Sequence, residues 1–161
     1  PLVLERGRDV DSRTKDVNNF FTNKILDETS NVQFGEGGAG TFSDGKLNTG
    51  LNNPRIAWIL EQMVAAGAEE DILFDAKPHV GTDVLLDVVQ NIRQRIVSLG
   101  GEVRFNTQVT GICRKNGHIT GVQTENETIP CEHVILSIGH SARDTFRILV
   151  YSASPRMDLV A

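Results

Sequence analysis

Six of the 15 glycines in this 161-residue chain fall in one stretch, "GEGGAGTFSDGKLNTG", between Gly35 and Gly50. A regular helix or strand does not survive that density of glycine, because each one costs about 1 kcal/mol relative to alanine. The stretch is therefore a loop, and the flanking segments must hold it. Irregular loops of this length are uncommon in compact domains and usually have functional roles. Successive small residues let backbone N–H groups approach a ligand closely and form a concavity for anions. Thr41, Ser43 and Lys46 add two hydroxyls and a cation. A phosphate-bearing or flavin-like ligand matches that equipment; an apolar one does not.

Two familiar patterns overlie the same loop. Gly35, Gly37 and Gly40 satisfy GxGxxG after a strand-like "NVQF" ending at Phe34. A dinucleotide fingerprint needs a helix opening directly behind it, so that helix amides and dipole meet the pyrophosphate. Ser43, Gly45, Asn48, Gly50, Asn53 and Pro54 forbid that helix. Gly40, Gly45 and Lys46 match the start of a phosphate-binding GxxxxGK loop, but Leu47 stands where a Ser or Thr must reach magnesium. Both patterns are coincidental on this reading, and a P-loop ATPase is disfavoured.

Around the loop the chain alternates strand and helix signals. Leu2-Val3-Leu4 reads as a short buried strand ending at Glu5-Arg6-Gly7. Asp11 or Ser12 caps a helix through Val17, Phe20, Phe21 and Ile25. Asn53 and Pro54 open a second helix with Ile56, Ile59, Leu60, Met63 and Val64 on one face, stopped by Gly67. A third, capped by Thr82 or Asp83, carries Leu85, Val88, Val89, Ile92, Ile96 and Leu99 and ends at Gly100-Gly101. Trp58 and the phenylalanines are assigned to the core.

The next segment is β in character. Asn116-Gly117 between alternating runs is a strong hairpin signal. His133 to Ile138 reads as a further buried strand ending at Gly139, and Ser141-x-x-Asp144 as the capped start of a last helix through Phe146 and Ile148. The expected class is α/β, a Rossmann-like parallel sheet interrupted by an antiparallel meander and incomplete. Residues 103–132 supply the strand and meander, residues 133–149 the return strand and helix. Residues 51–83 form an inserted helical or substrate segment.

Charge and cysteine usage narrow the partners. Sixteen Lys and Arg against 21 Asp and Glu give a net charge of −5, the opposite of a nucleic-acid footprint. No apolar run reaches the ~18 residues of a membrane span. Cys113 and Cys131 form neither a CxxC pair nor a zinc spacing, so free thiols in a reducing, cytoplasmic setting are expected. Cys131 and His133 supply two ligands without a third, and no metal site is expected. The chain opens on Pro1 within an apolar run, as an interior slice of a longer protein would.

"VLERG", "SNVQFGEGGAGTFSDGKLNTG", "KPHVGTD" and "HVILSIGHSARDTF", in that order, resemble the FAD-dependent oxidoreductases known as NAD(FAD)-utilising dehydrogenases, within the glutathione-reductase-like flavoprotein group. The resemblance covers residues 1 to 149. It implies a partial FAD-binding domain over residues 1–161, with NAD(P)H as co-substrate and the substrate unassigned. It implies that a first strand with its GxGxxG, and a closing segment, lie in other parts of the same flavoprotein.

The resemblance places Glu5, with Arg6 beside it, where the second strand's acid bonds the adenosine ribose hydroxyls. It runs Gly37, Gly38, Ala39, Gly40, Thr41, Ser43, Asp44, Gly45 and Lys46 past the flavin and its diphosphate. Val109 matches a position whose backbone touches adenine. Gly139 and Ser141 match a turn that closes over the cofactor. From the residues themselves, His79 is the candidate acid–base group, since a loop imidazole titrates near neutrality; a loop residue ahead of the Thr82/Asp83 cap is the plainer reading.

Overall fold

Leu2, Val3 and Leu4 form the first strand, β1 (Leu2–Leu4), and pair in parallel with β2 (Glu102–Arg104), about 100 residues further along the chain. In this computed structural model, residues 1–43, 45–47, 53–75 and 77–152 are described. The backbone N–H of Glu5 donates to the Arg104 carbonyl at 2.9 Å, so the ladder carries the chain straight to Glu5. The expected parallel pairing is present as these two strands. The meander is a separate three-stranded antiparallel sheet rather than an interruption of the first one. The chain is mixed α/β, in two units, residues 1–106 and 107–161.

Three helices lie between the strands of the first unit: α1 (Val10–Asn23), α2 (Arg55–Ala65) and α3 (Thr82–Ser98). Asp9, not Asp11 or Ser12, caps α1, because its carboxylate reaches the amides of both Asp11 and Ser12 at 3.1 Å. The helix stops at Asn23 with Lys24 in the left-handed region (φ 60°), which leaves Ile25 outside it. Pro54, not Asn53, occupies the cap position of α2, and Asn53 stands one residue before it, its side-chain oxygen accepting from the Arg55 amide at 2.9 Å. Gly81 occupies the cap position of α3 and no side chain bonds there, so Thr82 and Asp83 belong to its first turn.

A short 3-10 turn (Glu70–Leu73) and the start of α3 close a small core of Ala66, Ala68, Ile72, Val80, Leu85 and Val88. The segment read as an insertion is thus packed on α3. Ile72 and Val88 are sealed from solvent, whereas Trp58 is 60% and Phe74 84% exposed. Assigning the aromatics to the core fails for these two, for Phe21 and for Phe146, because burial depends on which neighbours face them and not on residue type. The "NVQF" segment is a series of bends rather than a strand.

The second unit is a meander of β3 (Val109–Lys115), β4 (His118–Thr124) and β5 (Thr128–Pro130), with α4 (Arg143–Ser152) packed on β3. Asn116 and Gly117 take φ of 54° and 83°, the pair of positive values that a type I′ hairpin turn requires. His133 to Ile138 is not a strand: Ile135 is 91% exposed. An apolar run becomes a strand only when its amides find a ladder, and the sheet of this unit ends at β5.

Candidate functional site

Glu5 stands at the carboxyl end of β1, half-buried, with Oε1 accepting from the Gly7 amide at 2.7 Å. The carboxylate thereby closes the turn that leads away from the strand. Gly7 lies directly on the glycine loop: a Cβ there would sit 2.7 Å from the Gly35 Cα and 2.5 Å from the Thr29 carbonyl oxygen. Only glycine lets these two backbones touch. The end of β1 and the opening of the loop are therefore one packed piece, with Arg6 half-buried between Glu5 and Gly7.

The loop is held from below by Arg13 of α1, which is 0% exposed. Its Nε donates to the Asn31 carbonyl at 2.8 Å, Nη2 to Val32 at 3.1 Å, and Nη1 to Gly35 at 3.3 Å and to Glu36. The guanidinium also lies 4.7 Å from the centre of the Phe42 ring. Burial pushes the Arg13 pKa down to about 10, against the opposing pull of Glu5 and Glu36, so the group is fully charged at neutral pH.

Glu36, inside the glycine-rich stretch, faces the protein rather than a ligand. Its Oε2 accepts from the Val10 amide at 2.8 Å, at the start of α1, and its Oε1 pairs with Arg93 of α3 at 3.4 Å. Burial raises its pKa, outweighing the Val10 bond and the Arg93 charge. Upstream, Asp27 accepts from the amides of Thr29 and Ser30 at 2.9 and 3.0 Å and from the Thr29 hydroxyl. These bonds hold its pKa below 3.8, the Thr29 amide foremost, against some burial.

Beyond Glu36 the loop turns outward. Gly37, Gly38, Ala39 and Gly40 are exposed. Gly38 sits at φ 63° and ψ −165°, a region open essentially to glycine alone. Open space lies beside Gly38 and Gly40 where a Cβ would project. Thr41 is fully buried in the 3-10 turn (Ala39–Phe42), and its Oγ1 has no hydrogen-bond partner among the described residues. That hydroxyl points at Gly37, where a Cβ would come within 2.1 Å of it.

Ser43 is exposed and Asp44 lies outside the described residues. Gly45, Lys46 and Leu47 run antiparallel to Pro78, His79 and Val80. The Leu47 amide donates to Pro78 at 2.9 Å, the Val80 amide donates to Gly45 at 3.0 Å, and Lys46 bridges His79. Leu47 packs on the small core, so it is a structural residue where a P-loop needs a hydroxyl. Lys46 and His79 are both exposed on this two-stranded corner, which brings the candidate acid–base group to the loop.

The remaining expected site residues belong to the second unit. Val109 begins β3 opposite Thr124. Gly139 takes φ 70° with open space beside it, and the Ser141 carbonyl accepts from the Arg143 amide at 2.8 Å. Among the described residues no cluster of three or more His, Cys, Asp or Glu is placed to hold a metal. Nor is any helix there long and apolar enough to cross a membrane.

Sequence reasoning missed Arg13, Glu36 and Arg93. Arg13 left one signal: it lies three residues after Val10 and four before Val17, the two other buried positions of α1. A charge on the buried face of a helix must be paired inside the protein.

No family model matches the chain. It is 47% identical over all 161 residues to an uncharacterised protein of Clostridium beijerinckii, and it spans 30% of that relative's length.

Proposed function

We propose that this chain is part of a FAD-dependent oxidoreductase of the NAD(FAD)-utilising dehydrogenase type, with NAD(P)H as the co-substrate. The observation that carries the reading is the junction at the end of β1. Open α/β sheets bind ligands outside the carboxyl ends of their parallel strands. There Glu5 is packed, through the Gly7–Gly35 contact, onto a loop with an exposed glycine backbone. The Rossmann-like sheet belongs to this reading: β1 and β2 are its two strands in the first unit.

The residues present fit the cofactor. The Gly38 amide donates to the Gly35 carbonyl at 3.1 Å, which leaves Gly37, Ala39 and Gly40 as the stretch's backbone amides suited to a diphosphate, with open space beside Gly38 and Gly40. Glu5 supplies the carboxylate for ribose hydroxyls, with Arg6 beside it. Thr41 is closed off from solvent and supports the loop from inside. When bound, FAD supplies the hydride or electron-pair chemistry, and the protein supplies binding, orientation and electrostatics. Lys46 and His79 are the groups of this corner able to steer an anion or hold a proton.

The test uses the full-length protein. It is expected to purify with a flavin absorbance band, or to take up FAD on reconstitution, and NADH or NADPH should bleach that band without oxygen. A colourless protein with no calorimetric binding of FAD overturns the proposal; flavin that binds but resists both nicotinamides points to a binding module without turnover. Glu5→Ala should weaken FAD binding about tenfold, the loss of one or two hydrogen bonds to a charged acceptor.

A further inference from the structure

We infer that Arg13 is the positioning residue of the glycine loop, fixing the segment from Asn31 to Phe42 against the end of β1. The inference rests on the FAD reading above. Its physical basis is a mismatch between what the loop exposes and what holds it.

Residues 31 to 36 have no regular backbone ladder, yet four of their carbonyls, those of Asn31, Val32, Gly35 and Glu36, converge on one guanidinium. A planar, always-charged fork can serve several carbonyls at once; an ammonium on a flexible stem cannot. Arg13 reaches both ends of the curve, since it also stacks on Phe42, just past the exposed glycines. Gly35 is part of the same fit, because a Cβ there would lie 2.6 Å from Arg13 Cδ. The side chain and Glu5 also feel each other's charge. Arg13 is thus the group shared by the acid at the strand end and the loop beside it.

Its consequence is preorganisation. A glycine backbone loses more freedom on ordering than any other, and a ligand that must order it binds more weakly by that amount. Arg13 removes that cost before the ligand arrives, while its own donors stay committed to carbonyls and touch no ligand.

The experiment compares Arg13→Lys, Arg13→Met and Leu85→Ala in the full-length protein. Each is checked for folding by far-ultraviolet circular dichroism, then titrated with FAD and digested under native conditions with a protease. Arg13→Met should raise the FAD dissociation constant at least about tenfold, Arg13→Lys should restore only part of the affinity, and cleavage should accelerate within residues 31–43. Leu85→Ala, which weakens the α2–α3 core, should leave FAD affinity and loop cleavage as in the wild type. A folded Arg13→Met with wild-type FAD affinity and wild-type cleavage overturns the inference, as does full rescue by lysine. Should Arg13→Met fail to fold, Gly35→Ala, which crowds Arg13 Cδ, decides by the same two readouts. Wild-type protein that binds no FAD defeats the functional reading alone; the clamp is then judged by proteolysis, with unchanged cleavage in Arg13→Lys overturning it.

Discussion

Residues 27–36 and helix α2 sit in the same unit and reverse the usual link between regularity and anchoring. The first has no helix or strand, yet Arg13, Asp27 and Glu36 bond its backbone or tie it to α1 and α3. The second is a regular helix of 11 residues in which no residue is buried. The difference teaches that a loop can be the better-fixed element where polar side chains satisfy its backbone. A helix satisfies its own amides and so needs no such help.

Arg13→Met should break the comparison most strongly, costing about 3–5 kcal/mol, because four carbonyls lose one charged donor in the interior. Chemical denaturation of the purified protein measures it; a loss below about 1 kcal/mol would put the loop's order elsewhere. Ile72→Ala comes next, at about 2–4 kcal/mol, since it opens a cavity in the core beside α2. If Ile72→Ala costs more than Arg13→Met, apolar packing rather than the clamp dominates this unit.

Asp27→Asn is smaller, about 0.5–1 kcal/mol at neutral pH after allowing for its partial exposure. Its native pKa lies below 3.8, so the stabilisation is present above that value and disappears as pH falls through the native one. The gap between wild type and Asp27→Asn should close in acid; a gap that stays constant in acid removes the carboxylate charge from the account. Glu36 runs the other way. Its raised pKa favours the folded state at low pH, and that contribution is lost as pH rises through the native value. The smallest effect belongs to Phe74→Ser, within about 0.5 kcal/mol, because the ring is 84% exposed. A larger loss, read by the same denaturation, would mean that Phe74 is covered in solution.

The parts legible in the sequence share one property: their signals lie within a few residues. Asn53 before α2, the Asn116-Gly117 turn and the stop of α3 at Gly100 (φ 82°) are decided by local backbone preferences. The glycine stretch was legible as a loop for the same reason. The misreadings depended on distant neighbours. Residues 133–138 have the apolar composition of a buried strand and take none, because a strand needs a ladder as well as a pattern. Trp58 and Phe74 look like core and are not, because the segments packed around Ile72 do not reach them.

The sequence by itself determined where the chain curls, turns and loosens, and that Glu5 ends a strand. Only the tertiary structure decided that Gly7 meets Gly35, that Lys46 pairs with His79 and that Arg13 gathers carbonyls 18 to 23 residues away. These contacts join residues remote in sequence, so they arise from the balance of burial and hydrogen bonding over the whole unit. No local propensity records that balance.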